Sequence, residues 1–350
     1  MGNILAKSLL GLGLLLVIGC TEDPDILYSR AETEAELGSR QKALDYLVQI
    51  QRSSPKYTDA YLFAARLFIE DKNFPEAINQ LKRGLDAQAD SAAITRAIGE
   101  IYAERGSLEE AYRYLEMALA IDPDQVESHI GMGCILHEKV LYKQALEHFE
   151  AALTLKPNHY DAMIGRALAL RELDETGKAI DQLNEAIEAY PMKGPAYGAL
   201  AYTQEKLDLD PDGVADNYAL AVRLAPGDQQ IWLHYLDFLA ADPDRRTVIK
   251  IHQRYNKLFP EDLDGYHRLT DLYLELATSE SLSWLDAARQ QCERALLLDK
   301  NDHKSHASLA KIYLLQEKPR LAVLQAQLAF EIQPSAEYRE LIDQAKFLME

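Results

Sequence analysis

Small and apolar residues recur in one fixed arrangement along most of this 350-residue chain. An alanine is followed four positions later by an apolar residue, then by a second alanine and a proline. One copy reads Ala111, Leu115, Ala118 and Pro123, and the next copy begins at Ala145. Successive copies are spaced by 34, 34, 34, 34, 35, 34, 40 and 34 residues. A repeat of this length predicts a stack of similar structural units.

Within each copy the apolar positions follow the i, i+3, i+4, i+7 spacing of an amphipathic helix. A second apolar set lies upstream, for example at Ile98, Gly99 and Tyr102. Each copy therefore predicts two helices, which we call helix A and helix B, in chain order. The proline comes just after helix B, where it blocks helix continuation at little cost.

The 34-residue period and these residues resemble the tetratricopeptide repeat (TPR). The resemblance implies an all-α solenoid of helix pairs, wound as a right-handed superhelix, with about eight to nine repeats over 26–334. Residues 335–350 fit a C-terminal capping helix, and the degenerate first copy, Pro24–Lys56, would cap the other end.

Two places interrupt the period, and both are predicted to lie in the loop between helices A and B. One extra residue falls within 207–217, and about six fall within 277–284. Insertions in solenoids go to loops on one face and sometimes bind partners. The serine-rich insertion that contains Trp284 is a candidate for such a role, although surface additions of this kind are more often only tolerated.

The first twenty residues read as a leader. Lys7 precedes an apolar run that is too short to cross a bilayer, which is typical of a signal peptide over 1–19. The end of the run, Val17-Ile18-Gly19-Cys20, resembles a bacterial lipobox, whose cysteine becomes lipidated. Residues 20–25 would then be the lipidated cysteine and a short tether, and the resemblance implies the outer membrane, facing the periplasm.

Amino-acid composition limits the classes of partner that the chain is expected to bind. The chain has 37 Lys and Arg against 56 Asp and Glu, a formal net charge of −19 and a pI near 4.9. Nucleic-acid binding needs a surplus of cations, so it is not expected. The three cysteines cannot form a disulfide framework.

Candidate chemistry is sparse, and neither an enzyme nor a cofactor is expected. Asp208, Asp210, Asp212 and Asp216 resemble part of a calcium loop, but Ala219 stands where that loop needs its bidentate glutamate. We favour a turn with an N-cap there. Cys134 and His137 share a helix face without a third metal ligand.

In the repeat family, helix A lines the inner groove. Carried onto this sequence, the groove positions are occupied by mainly acidic side chains. They are Arg66, Glu70, Arg96, Glu100, Glu104, Glu127, His137, Glu138, Arg171, Glu172, Asp237, His267, Asp271, Glu275 and Lys311. Such a groove would attract an extended or helical segment of basic or neutral character, unless it is simply a solvated face.

These features predict a membrane-anchored scaffold for protein partners in a bacterial envelope assembly. Pilus or secretion machinery, outer-membrane biogenesis and polysaccharide export are the candidate settings. Two alternatives stay open: a regulatory repeat subunit of an envelope enzyme such as a glycan synthase or hydrolase, and a cytosolic adaptor whose N-terminus only mimics a leader.

Overall fold

A computed structural model describes residues 22–279 and 281–349. Within those ranges the backbone forms nineteen α-helices and two 3-10 turns, without a strand. The predicted signal peptide and Cys20 lie outside the described residues. The A helices are α1 Pro24–Glu36, α3 Thr58–Glu70, α5 Ser91–Glu104, α7 Val126–Glu138, α9 Tyr160–Glu172, α11 Gly194–Lys206, α13 Gln229–Phe238, α15 Leu263–Ser279 and α17 His303–Leu315. The B helices are α2 Arg40–Ser53, α4 Phe74–Asp86, α6 Leu108–Ile121, α8 Tyr142–Leu155, α10 Thr176–Ala189, α12 Pro211–Leu224, α14 Arg245–Leu258, α16 Leu285–Leu298 and α18 Pro319–Ile332.

Helices that are consecutive in the chain pack together, which confirms the predicted helix-pair solenoid. α5 packs on α6 and α17 on α18, and α19 (Ala336–Phe347) follows the ninth pair. The degenerate first copy also forms a pair, α1 with α2. The chain divides into two compact units, 1–165 and 166–350. We call them unit 1 and unit 2.

The alanines that define the repeat are the points of closest helix packing. Ala111, Ala145 and Ala179 are fully buried in helix B. The glycines opposite them are equally constrained, since a Cβ on Gly133 would lie 2.7 Å from the ring of Phe149. The small residues of the repeat therefore allow the paired helices to approach closely.

Most A–B turns are three residues long and place their middle residue in the left-handed region of φ. Glycine occupies that position at Gly38 and Gly106, with φ of +75° and +72°. Other residue types have positive φ in five further A–B turns. They are Lys72, Val140, Asp174, Asp208 and Glu317. The turn geometry is thus set by the fold and not by glycine alone.

A second device fixes the turn from helix B to the next helix A. A side chain in the first turn of helix A donates a hydrogen bond to the carbonyl oxygen six residues earlier, at 2.9–3.2 Å. The pairs are Tyr61 with Pro55, His129 with Pro123, Tyr197 with Pro191, Trp232 with Pro226, Tyr266 with Pro260 and His306 with Lys300. The proline that marks the sequence repeat thus also supplies an acceptor.

The two interruptions are accommodated differently. The single extra residue lengthens the loop between α11 and α12, as predicted. At 277–284 the prediction of a loop is wrong in part, because α15, which is 17 residues long, extends to Ser279. A 3-10 turn follows at Leu282–Trp284. The ring of Trp284 stacks on Tyr273 at a centroid distance of 5.7 Å. Trp284 therefore has a packing role.

The final helix covers the end of the last pair but is not polar throughout. One side of α19 is buried against the last helix pair, as a capping helix requires. Its buried residues are Tyr338, Leu341 and Ala345. Phe347 and Leu348, at its C-terminal end, are 76% and 57% exposed. The exposed surface of this helix therefore includes apolar residues at its C-terminal end.

Candidate functional site

In unit 1 the A helices of neighbouring repeats contact one another, α3 with α5 and α5 with α7. The predicted groove residues of these helices therefore lie on helices that are in contact with one another. Glu104, Glu127 and Glu138 are exposed there. Glu100 forms an ion pair with Arg96 on the same helix.

A glutamate ends each of the first five A helices. These residues recur at intervals of 34, and all five are exposed. They are Glu36, Glu70, Glu104, Glu138 and Glu172. A carboxylate at a helix C-terminus opposes the helix dipole, at a cost of about 0.3–1 kcal/mol. Helix stability therefore does not explain why glutamate returns at this position.

We call the four glutamates of unit 1 the glutamate row: Glu36, Glu70, Glu104 and Glu138. Glu70 lies 3.3 Å from the guanidinium of Arg40. Among the described residues, the other three have no ion-pair partner. The row is thus largely uncompensated negative charge, and Glu36 is a member that the sequence reading had missed.

One end of the row borders a cleft of about 400 Å³ between α1 and α3. Glu36 and Glu70 line it, together with Arg66 and Phe63. The guanidinium of Arg66 lies over the ring of Phe63, 4.5 Å from its centroid. Arg40 also lines the cleft, so acidic and basic side chains surround the aromatic ring together.

In unit 2 the A-helix face combines cations with aromatic rings. Arg171 pairs with Glu172 at 2.7 Å and lies over the ring of Tyr202 at 4.8 Å. His234 stacks on the same ring with centroids 4.5 Å apart. Burial lowers the pKa of His234, against the opposing effect of Asp237. Tyr202 and His234 were absent from the predicted groove set.

Most of the remaining predicted groove residues of unit 2 connect neighbouring repeats. Asp237 pairs with Arg268, and Glu275 accepts from Arg245 at 2.9 Å. Lys311 pairs with Glu337 of α19 at 2.9 Å. These side chains therefore have structural partners already, which makes them weaker candidates for partner recognition than the glutamate row.

His267 and Asp271 complete the predicted set. The imidazole Nε2 of His267 lies 2.7 Å from Asp302 Oδ2. Burial lowers the pKa of His267, but the hydrogen bond and charge of Asp302 outweigh that effect and raise it. Burial raises the pKa of the Asp271 carboxyl, with Lys311 opposing.

The candidate metal ligands serve other roles or stand apart. Asp210 is the N-cap of α12 and accepts from the backbone N–H of Asp212 at 3.3 Å. Within 22–279 and 281–349, no three His, Cys, Asp or Glu side chains come together as a metal site. Cys134 lies on α7, and His137 on the same helix contacts the ring of Tyr142 at 5.1 Å.

The predicted lipid-attachment residue Cys20 and the predicted lipobox lie outside the described residues. In the part of the chain that the structure describes, no helix combines the length and apolar character that a bilayer crossing needs.

Family models of the tetratricopeptide repeat match residues 35–101, 97–125 and 141–192. The chain contains tetratricopeptide repeats. No curated protein sequence matches this TPR protein. Among solved structures, the APC/C Cut9–Hcn1 hetero-tetramer contains a similar chain, with 18% identity, a TM-score of 0.50 and coverage of 93% of this chain. This TPR protein spans 64% of that chain.

Two further structures are similar at lower TM-scores. Yeast Tom70 is 14% identical, with 94% of this chain and 89% of Tom70 covered at a TM-score of 0.48. MamA from Desulfovibrio magneticus is 25% identical, with 50% of this chain and 98% of MamA covered at 0.40. The Cut9 similarity supports the solenoid fold, and TPR folds are in general scaffolds for protein interactions.

Proposed function

We propose that this TPR protein is a lipid-anchored, non-catalytic scaffold that holds protein partners in a bacterial cell-envelope assembly. The observation that carries the proposal is the glutamate row on the A-helix ends of unit 1. Its carboxylates are exposed, mostly unpaired and placed where they do not help their own helices. Residues with those properties are available for a partner.

The row suits a basic segment. Packed helices lie about 8–10 Å apart, and an extended chain rises about 3.3 Å per residue. A partner with Lys or Arg at roughly every third residue would therefore meet one glutamate per repeat. Complementary charge of this kind speeds encounter and fixes register more than it adds raw affinity.

The anchor rests on the sequence. The lipobox Val17-Ile18-Gly19-Cys20 supports lipidation at Cys20, and α1 begins at Pro24, close behind it. Several acyl chains make such anchoring stable. The scaffold would then act beside the membrane, facing the periplasm if Cys20 is sorted to the outer membrane.

A charge-reversal experiment tests the row. Glu104→Lys with Glu138→Lys is expected to weaken binding of a peptide with Lys at every third position by about tenfold, with a reduced salt dependence. The control is Glu116→Lys with Glu147→Lys, which makes the same charge change on exposed positions of α6 and α8. Equal loss in both variants would mean that only net charge matters.

Capture from cells tests the setting. The tagged chain is crosslinked in bacteria, solubilised from membranes and analysed by mass spectrometry, together with the mass of its mature N-terminus. Enrichment of one envelope system and a lipidated Cys20 are expected. Co-purifying glycan synthase or hydrolase activity would instead favour a regulatory subunit, and an uncleaved chain bound to cytosolic proteins would favour a cytosolic adaptor.

A further inference from the structure

Helix α14 is basic, although the chain as a whole is strongly acidic. It contains Arg245, Arg246, Lys250, Arg254 and Lys257, and no Asp or Glu. Of these, Arg245 pairs with Glu275, and Arg254 lies over the ring of Trp232. Lys257 is exposed and has no ion-pair partner among the described residues. Helix α14 thus has a local charge opposite to that of the glutamate row.

A cleft of about 590 Å³ lies between α14 and α16, beside this lysine. Its charged lining residues are Lys257 and Arg294, and no acidic side chain lines it. Like Lys257, Arg294 is exposed and lacks an acidic partner within the described chain. The cleft therefore carries two uncompensated positive charges.

Amide side chains supply the rest of its polar lining: Gln253, Asn256, Gln290 and Gln291. Gln253 donates to the hydroxyl of Tyr273 at 2.7 Å, and Asn256 donates to the carbonyl of Gly265 at 3.1 Å. Gln291 is 6% exposed, and its Oε1 is buried without a hydrogen-bond partner. A buried unpaired acceptor costs about 1–3 kcal/mol, so it requires an explanation.

The same repeat position shows that Gln291 is exceptional. Five repeats have Gln or His here in helix B, and in four the side chain has a partner within the protein. The four contacts are Arg83 to Gln80 Oε1 at 3.1 Å, His129 to His148 at 3.0 Å, Arg166 to Gln182 Oε1, and His306 to Gln325 Oε1 at 2.7 Å. Among these five residues, only Gln291 has a buried side-chain acceptor without a hydrogen-bond partner.

We infer that the α14–α16 cleft binds an extended acidic segment of a protein partner. Its carboxylates would pair with Lys257 and Arg294, and one of its backbone N–H groups would donate to Gln291 Oε1. An extended backbone presents N–H and C=O groups in alternation, which suits a lining of amides. A glycan is a poorer fit, because Tyr266 and Tyr273 in the cleft are buried and offer no open ring face. This site is separate from the glutamate row and takes a partner of the opposite charge.

Fluorescence anisotropy with the full chain tests the site. The probe is a labelled peptide of alternating Glu and Ala, compared with one of alternating Lys and Ala and with an oligogalacturonate. The acidic peptide is expected to bind, and Lys257→Glu with Arg294→Glu is expected to weaken it by about tenfold or more. Gln291→Met keeps the volume but removes the acceptor, and a several-fold weaker affinity at unchanged salt dependence is expected.

The matched control is Lys143→Glu with Arg223→Glu, which changes the charge equally at exposed positions of α8 and α12. It should bind the acidic peptide almost as well as the parent chain. Thermal unfolding of each variant distinguishes lost contacts from lost folding. Stronger binding of the oligogalacturonate, absence of peptide binding, or equal losses in the control and cleft variants would each overturn the inference.

Discussion

At the scale of single residues, Val140 is in a conformation that its side chain disfavours. It stands in the middle of the α7–α8 turn at φ +64°, and its side chain is 65% exposed. The left-handed region costs an L-residue about 1–2 kcal/mol, and more for a β-branched one. Val140→Gly is therefore expected to raise the free energy of unfolding by about 1 kcal/mol, measured by chemical denaturation.

The reverse change at the equivalent turn is the control. A Cβ on Gly106 would meet no atom within 4 Å, so Gly106→Ala alters only the backbone preference at φ +72°. It is expected to destabilise by about 1 kcal/mol. If Val140→Gly lowered stability as well, the turn would have to depend on contacts of the valine side chain.

His267 makes stability depend on pH. Burial alone would lower the pKa of His267, but the hydrogen bond and charge of Asp302 raise it. Burial alone would raise the pKa of Asp302, but its hydrogen bonds to His267 and Ser305 hold it below its usual range. The histidine contribution is complete below about pH 6.5 and is lost as pH rises through the raised pKa; the aspartate contribution is lost in acid, below about pH 4. The pair therefore stabilises most between those values.

His267→Gln should remove this dependence. Denaturation midpoints at about pH 5.5 and pH 8 are expected to converge relative to the parent chain, with the larger loss at the lower pH. Lys178→Gln is the comparison, because it removes a surface ion pair to Glu175 and leaves His267 and its partners in place. An unchanged pH difference in the histidine variant would contradict the assignment.

At the scale of helices, the sequence was a strong guide wherever packing dictated residue size. Ala111 and Gly133 mark helix contacts because a larger side chain does not fit there. The turn hydrogen bonds escaped prediction, since Tyr61, His129 and Trp232 share a position and a donor but no residue type. The extension of α15 was also missed, because 277–284 contains no glycine or proline to end the helix.

The turn hydrogen bonds can be removed without changing the core. Tyr61→Phe and Tyr266→Phe delete the hydroxyls that donate to Pro55 and Pro260, each at 3.0 Å. Each change is expected to lower the free energy of unfolding by about 1 kcal/mol, the usual net value of a hydrogen bond. Tyr313→Phe is the control, as its hydroxyl has no hydrogen bond within the described chain. Losses equal to the control would show that solvent replaces these bonds.

At the scale of the whole molecule, architecture was predictable and binding was less so. The 34-residue period specifies repeated packing, which only a few residue sizes satisfy. Recognition depends on which charges remain unpaired, and the pairing of a charge depends on side chains of the neighbouring repeats. Asp237 and Glu275 form ion pairs with Arg268 and Arg245, whereas Glu104 has no such partner among the described residues. Gln291 could not be singled out from sequence, because Gln182 and Gln325 occupy the same repeat position and differ only in having partners.

Within each unit, helix pairs pack on their neighbours in chain order, so a destabilising change in one repeat should mainly affect the repeats beside it. Leu47 is fully buried in the first pair, and Leu47→Ala is expected to cost about 2–5 kcal/mol there. Amide hydrogen exchange should then accelerate in α1 to α4, with α17 to α19 unaffected. The reciprocal variant, Ile312→Ala in the ninth pair, should accelerate exchange in α17 to α19 only. Uniform acceleration in either variant would mean that the chain unfolds as one cooperative unit, and a partner bound at one end could then stabilise the other.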